Sequence, residues 1–201
     1  MIIGDPKMIK LEESKRIISI SDFEAQQLKI INDFIKDNPN ALTRDNKTAH
    51  ITVSAWILNP SLDKVLMAHH NIYNSWAWLG GHADGNHDLG QVAICEAMEE
   101  TGIKDIHFLS DDWRSVDILP VQAHLKNNQP IEFHLHFNFT FTFIADDKQP
   151  ITPKLDENKE VKWININEIE QVVKEKEMIP IYHKLMKRVF KIVKKDCKEI
   201  T

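Results

Sequence analysis

The sequence predicts an α/β fold of the mixed α+β kind, and three observations carry that expectation. Residues 116–125 and 131–145 read as strands, the second with Phe133, Phe137, Phe139, Phe141 and Phe143 alternating with other residues, and a turn of Asn127-Asn128-Gln129-Pro130 makes them an antiparallel pair. Two segments open with capping-box spacing, Ser21 to Glu24 and Asp88 to Gln91, which marks helix N-termini. Beyond Pro180, residues Ile181, Leu185, Met186, Val189, Ile192 and Val193 form the apolar stripe of an amphipathic terminal helix.

In chain order, residues 1 to 20 begin with Gly4-Asp5-Pro6 and show no clear period. The helix opened by Ser21 carries Phe23, Leu28, Ile31, Phe34 and Ile35, and Asn38-Pro39-Asn40 ends it. A loop with Gly80, Gly81 and Gly85 leads into a second helix, capped by Asp88 at its start and Gly102 at its end. That helix spans about 13 residues, with Ile94, Met98 and Thr101 expected on the core face. No internal repeat or low-complexity tract interrupts the chain.

The second helix carries Glu96, Glu99 and Glu100. Offsets of three and four bring these carboxylates within an arc of about 100°. Like charges so placed repel and weaken a helix, and a divalent cation offsets the repulsion. Magnesium takes a few carboxylates together with phosphate oxygens and water. A solvated acidic face is the plain alternative. The glycine loop before the helix lets backbone approach phosphate or metal closely, so the segment reads as a phosphate-and-metal site.

This segment resembles the Nudix box, G-x5-E-x7-R-E-U-x-E-E-x-G-U, where U is a bulky apolar residue. Gly81, Glu96, Glu99, Glu100, Gly102 and Ile103 match in register, while His87 and Cys95 replace the first glutamate and the arginine, and Ala97 is smaller than usual. Residues 50–58 and 64–70, joined around Asn59-Pro60, look like the hairpin that precedes the box; Trp76-Ala77-Trp78-Leu79 leads into Gly80. Glu157-x-x-Glu160-x-x-Trp163 and Asn167 to Glu170 are similar to the family's late strand and helix. The resemblance covers roughly residues 48 to 175. It implies an α/β/α sandwich with a mixed sheet, a Nudix domain over 48–201 and an N-terminal helical extension over 1–47.

The resemblance also implies an activity: metal-assisted attack of water on a nucleoside diphosphate linked to another moiety. Glu96, Glu99 and Glu100, with the Gly80 carbonyl, are the implied ligands of Mg2+ or Mn2+. Glu96, Glu100 and Glu157 are the catalytic candidates, Glu157 first for the general base, then Glu160 and Asp156. Gly81, His82, His134, His136 and Trp78 are expected to bind substrate. His134 and His136 lie two apart in a strand and so share a face, suited to a substrate phosphate or a second metal, with ordinary strand packing as the plain alternative. Zinc held by some of the histidines, among them His69, His70, His82 and His87, is the alternative. Tyr73, Trp76 and Trp78 either stack on a base or belong to the core.

Two rival readings share the fold. A non-catalytic nucleotide-metabolite sensor is favoured by His87 and Cys95 in the box. An isopentenyl diphosphate isomerase is opposed by Leu79-Gly80 where a catalytic cysteine belongs.

Composition narrows the class. The 201 residues with 42% hydrophobic content suffice for one sizeable core. A net charge of −5 gives no bulk attraction to nucleic acid. Cys95 and Cys197 are too few for a disulfide scaffold, and no signal-like or membrane-spanning run occurs. The expectation is a cytoplasmic enzyme with a small nucleotide derivative as partner, without nucleic acid or membrane, and compatible with a homodimer. Lys184, Lys187, Lys191, Lys194, Lys195 and Lys198 read as a solvated helix face.

Overall fold

The computed structural model describes residues 21–110, 113–126 and 129–199, so the readings on residues 1–20 and on Asn127-Asn128 lie outside the described residues. The architecture is mixed α+β. The chain divides into two compact units.

Among the described residues, the smaller unit comprises 21–52, 82–87, 115–126 and 129–139. Its helix α1, Asp22–Asp37, starts on a complete capping box: Ser21 Oγ accepts from Glu24 N, and Glu24 Oε2 accepts from Ser21 N at 3.1 Å. Asn38 ends it, its amide donating to Phe34 O at 2.8 Å. Leu28 and Ile31 are buried, whereas Phe23 is exposed, because the core-facing stripe passes on the other side. Phe34 meets Phe137 edge to face at 5.2 Å.

The expected long antiparallel pair is broken into two. Strand β6, Ser115–Val121, pairs with β9, His134–Ile144, while β7, His124–Lys126, and β8, Gln129–Ile131, make a separate two-stranded ladder. Pro120 lacks a ladder donor near the end of β6. Phe133 falls in the interruption before β9 and is exposed, while the later phenylalanines are buried.

Among the described residues, the larger unit comprises 53–81, 88–110, 113–114 and 140–199. Its sheet is built from β1 (Ala49–Leu58), β2 (Lys64–His70), β3 (Ser75–Ala77), β4 (Leu79–His82), β5 (His107–Phe108), β9 and β10 (Asn158–Asn165). The strand order is β10-β2-β1-β9-β5, with β3 on β2 and β4 on β1. Asn59 fixes the β1–β2 turn, its Oδ1 accepting from Asp63 N and Lys64 N at 3.1 and 3.0 Å. Helix α2 is Leu89–Thr101, a short α3 is Ile169–Val172, and the terminal α4 is Ile179–Glu199.

One sheet face presents Trp56, Leu58, Val65, Met67 and Ile164 to Tyr182, Leu185, Met186 and Val189 of α4, with Ile144 packed alongside. Successive strand residues point to opposite faces, so Phe143 turns the other way and meets Phe108 at 4.8 Å. Phe108 and Phe141 lie against Gly90 of α2, where a Cβ would sit 3.1 Å from Phe108. Helices therefore cover both faces of the sheet in this unit. The core face of α2 is Gly90, Ala93, Ala97, Glu100 and Thr101. Met98, expected there, is exposed because the buried stripe runs one position earlier. Lys187 and Lys191 are exposed, in keeping with a solvated face; the side chains of Lys194, Lys195 and Lys198 lie outside the described ones. Among the described residues, no helix is long and apolar enough to cross a membrane.

Candidate active site

The site in the larger unit begins with two glycines that leave no room for a side chain. Gly80 has φ +152°, and a Cβ there would lie 2.1 Å from Val53 O. A Cβ on Gly81 would lie 2.3 Å from the Glu96 carboxylate. The backbone thus runs directly against α2. Gly80 N donates to Glu100 Oε1 at 2.8 Å.

Glu100 is buried. Its second oxygen accepts from Asn158 Nδ2 at 2.8 Å. Burial raises its pKa to about 7, the Glu157 and Glu96 charges add to the rise, and the Gly80 and Asn158 hydrogen bonds oppose it. Glu99, one position earlier, is exposed.

The segment before β10 is docked on the end of α2. Thr152 N donates to Thr101 O at 2.7 Å and Lys154 N to Glu100 O at 3.1 Å, satisfying carbonyls that the helix end leaves free. Lys154 Nζ then lies 3.1 Å from Glu157 Oε1 and 3.7 Å from Glu99 Oε2. The hydrogen bond to Glu157 raises the lysine's pKa. Sequence reasoning missed both Lys154 and Asn158. Their only signal was proximity to Glu157, which Asn158 follows directly and Lys154 precedes by three residues.

The helix start is half of the expected capping box. Asp88 Oδ1 accepts from Gln91 N at 3.0 Å, but the Gln91 amide turns to Cys95 Sγ at 3.5 Å. His87 is an exposed loop residue.

Trp76 and Trp78 pack against the core cluster, and Trp78 meets Tyr182 edge to face at 5.4 Å. Tyr73 is exposed, with its ring tilted over His70 at 4.8 Å. His69 lies edge-on to Trp76. In the smaller unit, His134 and His136 do share a face, with their Nε2 atoms 3.2 Å apart. His136 meets His82, and both meet His50, which the sequence reading passed over as an ordinary strand residue. Burial first, then the neighbouring imidazoles, pushes the His136 pKa down to about 2.

Glu96, Glu99 and Glu100 offer oxygen donors of the kind a hard divalent cation takes, but among the described residues the group whose ligand atoms lie within 4.8 Å of one another is His50, His82 and His136. A buried carboxylate with a raised pKa is a group whose ionised form an added positive charge favours.

The NUDIX domain model matches residues 48–189. Comparison with curated protein sequences finds no match. Among solved structures, the MutT protein from Methanosarcina mazei Go1 is similar with a TM-score of 0.52 at 18% identity, covering 73% of this chain and 96% of that one. A C. elegans Ap4A hydrolase gives 0.50 at 16% identity, covering 67% and 93%. The E. coli dihydroneopterin triphosphate pyrophosphohydrolase gives 0.50 at 14%, covering 70% and 95%. At these identities the structures speak for the fold alone. The family match, spanning most of the chain and including the glycine loop and α2, shows that the protein belongs to the Nudix family and is an enzyme of its pyrophosphohydrolase type.

Proposed function

We propose that the protein is a divalent-metal-dependent hydrolase that cleaves a phosphoanhydride bond in a nucleoside diphosphate linked to another moiety. The observation that carries this reading is Glu100, buried yet held through both oxygens beside the glycine pair. Glu96, Glu99 and Glu100, with the Gly80 carbonyl, are the residues that would hold Mg2+ or Mn2+. When bound, such a cation neutralises phosphate charge and acidifies water.

The chain's own groups supply the rest. Gly80 N–H and the Asn158 amide fix the Glu100 carboxylate in one orientation. A base works best with a pKa near the working pH; burial raises Glu100 toward that range, and a bound cation would draw it back down. Glu157, first on sequence grounds, is tied to Lys154, so Glu100 takes the proton in this reading. Water oxygen bonds to phosphorus, the bridging P–O bond breaks, the water proton passes to Glu100, and the leaving phosphate departs with its electron pair. Lys154, held between Glu99 and Glu157, is placed to meet phosphate charge.

Phosphorus-31 NMR with dinucleoside polyphosphates, nucleoside triphosphates, nucleotide sugars and coenzyme diphosphates tests the reading. New monophosphate signals that disappear with chelator are expected. Binding without turnover would instead make the protein a nucleotide-metabolite sensor.

A further inference from the structure

Four histidines converge in the smaller unit. The His50 ring centroid lies 5.0 Å from each of those of His82, His134 and His136. Backbone hydrogen bonds hold the three segments together: Ala83 N donates to Ile51 O at 3.1 Å, and Leu135 N donates to Thr48 O at 3.0 Å.

The proton positions follow from the hydrogen bonds. His50 Nδ1 lies 3.0 Å from Asn46 O, a carbonyl that only accepts, so Nδ1 carries the hydrogen and Nε2 the lone pair. That Nε2 is buried and has no hydrogen-bond partner. His134 Nδ1 likewise donates, to Glu132 O at 2.8 Å, so its Nε2 lone pair accepts from His136 Nε2 at 3.2 Å, whose proton a bound metal would displace. A buried acceptor without a donor is costly. Four imidazoles so close do not accommodate multiple positive charges, and the Nε2 lone pairs of His50 and His134 would face a bound anion where it needs donors.

We propose that His50, His82 and His136, whose ligand nitrogens lie within 4.8 Å of one another, bind a divalent transition-metal ion of the zinc class, with His134 beside it. Neutral imidazole suits zinc, cobalt and nickel, whereas magnesium takes oxygen. Bond lengths of about 2.0–2.1 Å in a tetrahedral site put ligand nitrogens roughly 3.3 Å apart, a spacing that His134 and His136 already have. The ligand nitrogens of His50, His82 and His136, within 4.8 Å of one another, need to close by up to about 1.5 Å to reach it. A carbonyl fixing the second ring nitrogen, as at His50 and His134, is the usual outer contact of a metal-binding histidine. Arg44 and Asp84, the formal charges that act on His50, pair with each other, which limits the positive charge facing the cation. This assignment does not depend on the hydrolase reading.

The test uses the full chain stripped with chelator and titrated with Co2+, then Zn2+. Visible absorption typical of imidazole-bound Co2+ should saturate at a single equivalent, vanish on adding Zn2+, and accompany a zinc-dependent rise in Tm. His136→Gln and the loop-side His82→Gln should each weaken the ion by more than the ~10–100-fold that losing an outer hydrogen-bond partner costs, with unchanged circular dichroism. Glu99→Gln should leave the absorption intact. A folded wild type without the band or the Tm shift, a band undiminished in both histidine variants, or its loss in Glu99→Gln would each overturn the assignment.

Discussion

Glu100 brings a carboxylate into the larger unit with both oxygens already accepting hydrogen bonds, from the Gly80 N–H and the Asn158 amide. Glu100→Gln should fold normally, because Asn158 Oδ1 is without a partner and a rotated Asn158 amide can accept from the new side chain. Turnover of that variant should fall by about 10²–10⁴, the usual contribution of a positioned acid or base; steady-state kinetics beside circular dichroism checks both halves. The same carboxylate makes a pH prediction. Its folded pKa of about 7 lies above the ordinary 4.5, so its contribution to stability is full below the lower value and is lost as pH rises through the upper one. In chelator, wild-type stability relative to Glu100→Gln should therefore fall by about 3 kcal/mol between these limits. Urea unfolding at several pH values reads this directly, and a flat or opposite trend contradicts it. The glutamates were legible in the sequence because one helix sets their spacing. Asn158 was not, because the contact joins residues 58 positions apart.

The glycine pair and the terminal helix make separable predictions at the scale of elements. Gly80→Ala would drive a Cβ into the Val53 carbonyl at a positive φ and should destabilise by at least about 1–3 kcal/mol. Gly81→Ala meets instead the movable end of Glu96. It should leave the Tm nearly unchanged while lowering kcat by on the order of 10–100-fold through the misplaced carboxylate. Equal effects on stability from the two substitutions would refute this division. Leu185→Ala in the buried stripe of α4 should cost about 2–5 kcal/mol by denaturant unfolding. Helix boundaries were readable because caps are local: Ser21 with Glu24 forms the full box. Asp88 with Gln91 forms only half, since Gln91 reaches for Cys95. Met98 was misplaced because apolar identity alone does not say which of two adjacent stripes is buried. Tyr182 was overlooked because a phenol between isoleucine and histidine gives no sign that its ring will stack on Trp56.

For the whole molecule, the family's fold was legible from one motif and its flanking strands, whereas the pairing of β10 with β2 and the meeting of His50 with three distant histidines depend on long-range placement that periodicity does not encode. Two metal chemistries follow from the proposals, and they are separable by ligand type. Magnesium or manganese should restore turnover to chelated protein through the carboxylates, while zinc should raise Tm through the imidazoles without replacing them. The carboxylate chemistry is read most directly by phosphorus-31 NMR of the purified protein with nucleoside diphosphate derivatives and Mg2+, in parallel with Glu100→Gln. Monophosphate signals are expected from the wild type, abolished by chelator and produced far more slowly by the variant. Equal product from the variant, or from wild type in chelator, would contradict the carboxylate assignment.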